Sequence, residues 1–169
     1  VRILLIGVGT RRGDDAAGLL AAERLASLTW PPSVRVIACA RSPLDLLDEL
    51  AGADAAILID ATRSGRAPGA VHRVRGAELR PLRPASSHAI GVAEALALAA
   101  TLGQVPERIE LVGIEGERAE GERISPAVAR GVEEACARVR TLAADMLDDD
   151  ALRADRLDDD ALVASRDPR

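Results

Sequence analysis

The sequence contains no lysine, asparagine, phenylalanine or tyrosine in its 169 residues, and all 22 basic residues are arginine. Without lysine there is no Schiff-base amine and no phosphate-loop lysine, and without tyrosine no phenolic general acid. Trp30 is the only aromatic residue, so no stacking platform for single-stranded nucleic acid can be assembled, and nucleic acid is not an expected partner. No stretch approaches the roughly 20 apolar residues of a bilayer span, and no membrane association is expected. Val1 to Ile6 runs into Gly7 with Arg2 as its only charge, unlike the basic head and long apolar body of a signal peptide, so the expected compartment is the cytoplasm. Two cysteines, Cys39 and Cys136, fit neither a disulfide scaffold nor a zinc-finger spacing and are expected to be reduced.

What remains is a core of Ala, Val, Leu and Ile, with chemistry left to carboxylates, arginines, a few hydroxyls, two thiols and the two histidines, His72 and His88. Val1 to Ile6 is a nearly unbroken apolar run stopped by Gly7-Val8-Gly9, the pattern of a strand buried on both faces. Asp14 to Leu28 follows with apolar residues at helical spacing and two acids at the start, where a helix dipole favours them. Val34 to Cys39 reads as a second strand, Leu44 to Leu50 as a short helix and Ala55 to Asp60 as a third strand. Val71 to Val74 alternates in the manner of an edge strand, which leaves His72 facing solvent. Ser86 or Ser87 can cap an apolar helix from His88 to Leu102; Ile109 to Ile114 is the last buried strand, and a helix from Ser125-Pro126 to Leu147 closes the domain, with Cys136 in the core.

Strands of near-continuous apolar character separated by helices predict an α/β fold, a three-layer α/β/α sandwich on a mostly parallel five-stranded sheet. A right-handed start orders the first three strands 2-1-3. Ligands then bind at the carboxyl ends of the strands beside the reversal, next to the Gly7 to Asp15 loop and Asp60. Residues 1–147 form one domain. Beyond them Leu147-Asp148-Asp149-Asp150-Ala151-Leu152 recurs as Leu157-Asp158-Asp159-Asp160-Ala161-Leu162. Residues 145–169 hold nine Asp and four Arg, whereas residues 1–144 hold eighteen charges of each sign, so the net charge of −5 lies in the tail. Residues 148–169 are read as a flexible, solvated acidic extension of the last helix.

Gly7-Val8-Gly9 after a first strand invites a dinucleotide reading, but the third glycine of that motif would fall at Arg12 rather than Gly13, and Asp14-Asp15 would repel a phosphate. The same acids suit a cation. Asp15, Asp60 and His88, each at an element end facing one crevice, make a plausible divalent-metal shell of two carboxylates and one imidazole.

Three segments, Gly7-Val8-Gly9-Thr10-Arg11-Arg12-Gly13-Asp14-Asp15-Ala16-Ala17-Gly18, Ile57-Leu58-Ile59-Asp60-Ala61 and Ser87-His88-Ala89-Ile90-Gly91, resemble the hydrogenase maturation proteases, and Leu111-Val112-Gly113-Ile114 extends the likeness towards Leu147. The resemblance implies an α/β/α sandwich and an endopeptidase that removes the C-terminal extension of a nickel-iron hydrogenase large-subunit precursor after nickel insertion. It places the family's metal-binding acid, second acid and histidine on Asp15, Asp60 and His88, as both metal ligands and catalytic residues. Nickel is the implied metal, presented by the precursor rather than owned by the protein. Three departures stand out: Thr10 where the family usually has Asn, Arg11-Arg12 beside the cation site, and Cys39-Ala40-Arg41-Ser42-Pro43 where the family commonly shows Gly-Gly-Thr. They keep open a non-catalytic protein of the same fold that binds metal or precursor. A hydrolase built on Cys39 and His88 is a third reading, and the Glu115 to Glu122 run reads as a solvated or mobile charged loop.

Overall fold

The structure is a computed structural model describing residues 1–39, 46–76, 92–117 and 123–164. Five strands, β1 (Ile3–Val8), β2 (Val34–Cys39), β3 (Ala55–Thr62), β4 (Val71–Arg75) and β5 (Arg108–Glu115), form one sheet in the order β2-β1-β3-β5-β4. The first four strands of that order run parallel, and β4 lies antiparallel on the β5 edge. The 2-1-3 start and the edge position of β4 follow the sequence pattern. Apolar runs in β1 and β3 are buried on both faces because helices cover both sides.

The helices are α1 (Ala17–Ala26), α2 (Leu46–Leu50), α3 (Val92–Thr101) and α4 (Pro126–Ala164). On one face, Ala17, Ala21 and Leu25 of α1 and Val128, Val132, Ala135, Val139, Leu142, Ala143 and Met146 of α4 pack on Ile3, Leu5, Ile57, Ile59, Val112 and Ile114. On the other, Leu50 of α2 and Leu96 of α3 pack on Leu4, Ile6, Val8, Ala56 and Leu58. Each fully buried leucine is worth about 2–5 kcal/mol against truncation to alanine. Gly18 lets α1 lie against the sheet, since a Cβ there would collide with the carbonyl oxygens of Val8 and Ile59.

Two boundaries differ from expectation. A 3-10 turn, Gly13–Ala16, precedes α1, so Asp14 and Asp15 do not belong to its first turn. Gly13, at φ 50°, bends the chain so that Asp14 points into the fold instead of along the helix. At the other end, α4 is helical through Ala164 rather than stopping at Leu147. Among the described side chains its buried positions recur every three or four residues as far as Met146, and Leu147 still packs, partly buried, against the same core. Beyond that point, Arg108 forms an ion pair with Asp149 at 2.7 Å. His88 to Gly91, expected to open α3, and the serines at 86 and 87 lie outside the described residues.

Candidate active site at the carboxyl edge

Because β1, β3 and β5 are parallel, the loops that follow them emerge at one edge of the sheet, where the strand order reverses. Asp15 and Asp60 both belong to this edge. Gly9, at φ 139°, turns the chain out of β1, and the Thr10 amide donates to Asp15 Oδ2 at 2.7 Å, which closes the loop. Asp15 is otherwise exposed, while Asp60 is half-buried near the end of β3. Burial first, and then the charge of Asp15, push the Asp60 carboxyl up to about 7 from its ordinary 3.8, against a smaller downward pull from the Ala61 amide. The charge of Asp15 thus acts on Asp60, an arrangement that a cation placed between them would relieve.

The third expected member, His88, lies outside the described residues, as do Ala40 to Pro43 and the side chain of Cys39. Among the described residues no group of three His, Cys, Asp or Glu side chains gathers to hold a metal. Asp15 and Asp60 are the two oxygen members of the donor set expected from the sequence, and oxygen donors suit a borderline divalent ion. Arg11 turns away from this pair, its guanidinium bonded to Glu23 of α1 at 2.8 Å, and Arg12 is exposed.

Two buried carboxylates that the sequence did not single out shape the edge. Asp14 accepts the Ser125 amide on Oδ1 at 2.7 Å and the Glu117 amide on Oδ2 at 2.8 Å, tying the loop after β1 to the loop after β5 and to the start of α4. Glu115, expected in a solvated run, is instead buried at the end of β5. Its Oε1 accepts the amides of Gly65 and Arg66, and its Oε2 accepts the Ser64 amide and the hydroxyls of Ser64 and Thr62, at 2.7–3.2 Å. Desolvation pushes this carboxyl upward, but the Ser64, Gly65 and Thr62 donors outweigh it and bring it down to about 2. Glu115 thereby fixes the loop after Asp60. An acid directly after the apolar run Leu111 to Ile114 was the available signal; for Asp14, beside an identical residue, none distinguished the buried acid from the exposed one.

His72, expected to face solvent, is instead half-buried. It sits opposite Gly113 in the β4–β5 ladder, and its ring fills the space that a side chain at 113 would occupy. Its Nδ1 is buried without a hydrogen-bond partner, and desolvation, followed by nearby Arg66, lowers its pKa below the ordinary histidine value. Cys136 is half-buried against the core, with its Sγ 3.6 Å from the Ala21 carbonyl oxygen and its thiol pushed up by desolvation, which favours an inert packing role. No helix of the described residues is long and apolar enough to cross a membrane.

Comparison with known proteins places these features in context. The family model described as hydrogenase maturation protease matches residues 20–142. The hydrogenase expression/formation protein HupD of Rhodobacter capsulatus is 32% identical over 151 residues, covering 85% of this chain and 72% of its own. The hydrogenase 2 maturation protease of Escherichia coli (strain K12) is 30% identical over 145 residues, covering 82% of this chain and 88% of its own. Among solved structures, the hydrogenase maturating endopeptidase HybD of E. coli superposes with a TM-score of 0.74 at 28% identity, over 86% of this chain and 94% of that one.

Proposed function

The chain belongs to the hydrogenase maturation protease family, a family of peptide hydrolases, and on that premise we propose that it removes the C-terminal extension of a nickel-iron hydrogenase large-subunit precursor once nickel has been inserted. The observation that carries this reading is the pairing of Asp15 with Asp60 at the edge where the strand order reverses, close enough for one charge to act on the other. Asp15, Asp60 and His88 are the residues that would meet the substrate's nickel and take part in cleavage. Nickel belongs to the substrate here: it arrives held by the precursor's own ligands, and the three side chains complete its surroundings.

Each side chain has a definable task. Asp15, anchored by the Thr10 amide, presents its carboxylate from a loop that Gly9 sets in place. Asp60 presents a second oxygen donor from the end of β3, and Glu115 fixes the loop that follows it. His88 would supply a neutral imidazole. A divalent ion so held can polarise a peptide carbonyl or a water molecule. Two oxygen donors and one imidazole make a weak shell for a free ion, so a precursor lacking nickel would lack the recognition handle. The reaction belongs in the cytoplasm, where metal-loaded precursor would be available.

Incubation with nickel-loaded and nickel-free precursor tests the proposal. A shortened large subunit is expected only from the loaded form, and Asp15→Ala, Asp60→Ala and His88→Ala should each abolish it while the circular dichroism spectrum is retained. Efficient cleavage of nickel-free precursor, or a stoichiometric zinc tightly bound to the isolated protein, would overturn the mechanism. Binding of loaded precursor without cleavage would favour the non-catalytic alternative, which the Cys39-Ala40-Arg41-Ser42-Pro43 departure keeps in play.

A further inference from the structure

The chain carries a net charge of −5, and among the described residues the exposed charges differ in balance between the two ends of the sheet. At the end of the sheet away from Asp15 and Asp60, Asp54, Glu107, Asp149 and Asp150 gather around Arg108. The carboxyl edge has the opposite balance. Among the described residues of its loops, Arg11, Arg12, Arg63, Arg66 and Arg123 are exposed, whereas Asp15 and Glu117 are the exposed acids. Of the other described acids there, Asp14 and Glu115 are buried and already satisfied by amides and hydroxyls, and Asp60 is half-buried at the end of β3.

The arginines differ in what occupies them. Arg11 is paired with Glu23, and Arg66 donates to the Ser64 hydroxyl at 2.7 Å. Arg12, Arg63 and Arg123 have no hydrogen-bond or ion-pair partner among the described residues. Their backbones are nevertheless anchored close by. Glu115 binds the amides of residues 64–66, Asp14 binds the Ser125 amide, and Asp15 binds the Thr10 amide. Free guanidinium groups on restrained loops lose less conformational freedom on binding than they would on mobile ones. Their planar donor fork also matches carboxylate geometry.

We propose that Arg12, Arg63, Arg66 and Arg123 form a docking rim for an acidic stretch of the polypeptide substrate, holding it across the edge that carries Asp15 and Asp60. The inference rests on the protease reading, because it takes the bound chain to be the one that is cut. An acidic peptide fits better than nucleic acid. Asp15 and Glu117 stand among the arginines and would oppose a continuous row of phosphates, and the only aromatic residue, Trp30, is occupied elsewhere with its Nε1 on the Leu25 carbonyl oxygen. Spaced carboxylates on a peptide can meet the guanidinium groups while leaving the two acids beside neutral residues.

Fluorescence anisotropy with the full chain tests this without any cleavage. Two labelled peptides identical except for Asp and Glu in one and Asn and Gln in the other are compared with a single-stranded oligonucleotide. The acidic peptide should bind more tightly than the neutral one, and its affinity should fall as salt is raised. The triple variant Arg12→Ala, Arg63→Ala, Arg123→Ala should lose about tenfold in affinity for the acidic peptide, as three exposed ion pairs together allow. If that variant misfolds by circular dichroism, Arg63→Gln alone and the salt titration of the unaltered chain carry the test. Equal binding of the neutral peptide, unchanged affinity in a folded variant, or tighter binding of the oligonucleotide would each overturn the rim. Acid-selective, arginine-dependent binding alongside a failure to cut loaded precursor would overturn the protease reading alone.

Discussion

Asp15 raises the proton affinity of Asp60: together with burial, its charge keeps the Asp60 carboxyl partly protonated near neutral pH, with a pKa of about 7. In the unfolded chain the same carboxyl ionises near 3.8. Between those values the folded protein binds more protons than the unfolded one, so this group's contribution to stability falls as pH rises through that window. Asp60→Asn should therefore melt at a higher temperature than the unaltered protein at pH 8, with the advantage shrinking towards pH 4. Asp15→Asn should shift the Asp60 titration to lower pH, read by carboxyl NMR. An unchanged titration would mean the two carboxylates do not communicate.

Glu115 contributes with the opposite sign. Its folded pKa, about 2, lies below the ordinary 4.5, so the stabilisation is complete above the unfolded value and is lost as pH falls towards 2. Glu115→Ala leaves the donors of residues 62–66 without their acceptor and should cost roughly 1–3 kcal/mol in urea unfolding at neutral pH. Glu115→Gln, which keeps one acceptor oxygen, should cost less, and the cost of either substitution relative to the unaltered protein should shrink as pH falls towards 2.

Gly113 and His72 should be coupled. A Cβ at 113 would lie 2.6 Å from both Cε1 and Nε2 of His72 and 2.7 Å from Thr62 Cγ2. Gly113→Ala should thus force the imidazole aside and cost about 1–3 kcal/mol. Adding His72→Ala should recover part of that loss, so that the double-mutant cycle shows a favourable interaction between the two substitutions. Strict additivity would mean the ring does not occupy that space.

Deleting residues 151–169 should change the melting temperature by no more than about two degrees, because among the described side chains of α4 the last to pack on the core are Met146 and Leu147, and the ion pairs nearest the cut, Val1–Asp150 and Arg108–Asp149, are retained. A drop of many degrees would mean that the acidic repeat supports the domain.

Much of this protein is written in its one-dimensional pattern. The apolar runs Ile3 to Ile6 and Ala55 to Ile59 are continuous because both sheet faces are covered, and that continuity alone announced buried parallel strands. Parallel strands separated by helices imply a single reversal of strand order, which is why Asp15 and Asp60 could be assigned to one edge from the sequence. Tertiary structure decided which of two adjacent aspartates faces inward, since a one-residue difference on a 3-10 turn is set by the bend at Gly13 and by amides more than one hundred residues away. It also decided that Glu115 is buried and that the His72 ring is half-buried against Gly113. Their surroundings are the loop at residues 62–66 and the bare backbone of Gly113 across the ladder, contacts that depend on which strands become neighbours and leave no periodicity in the local sequence.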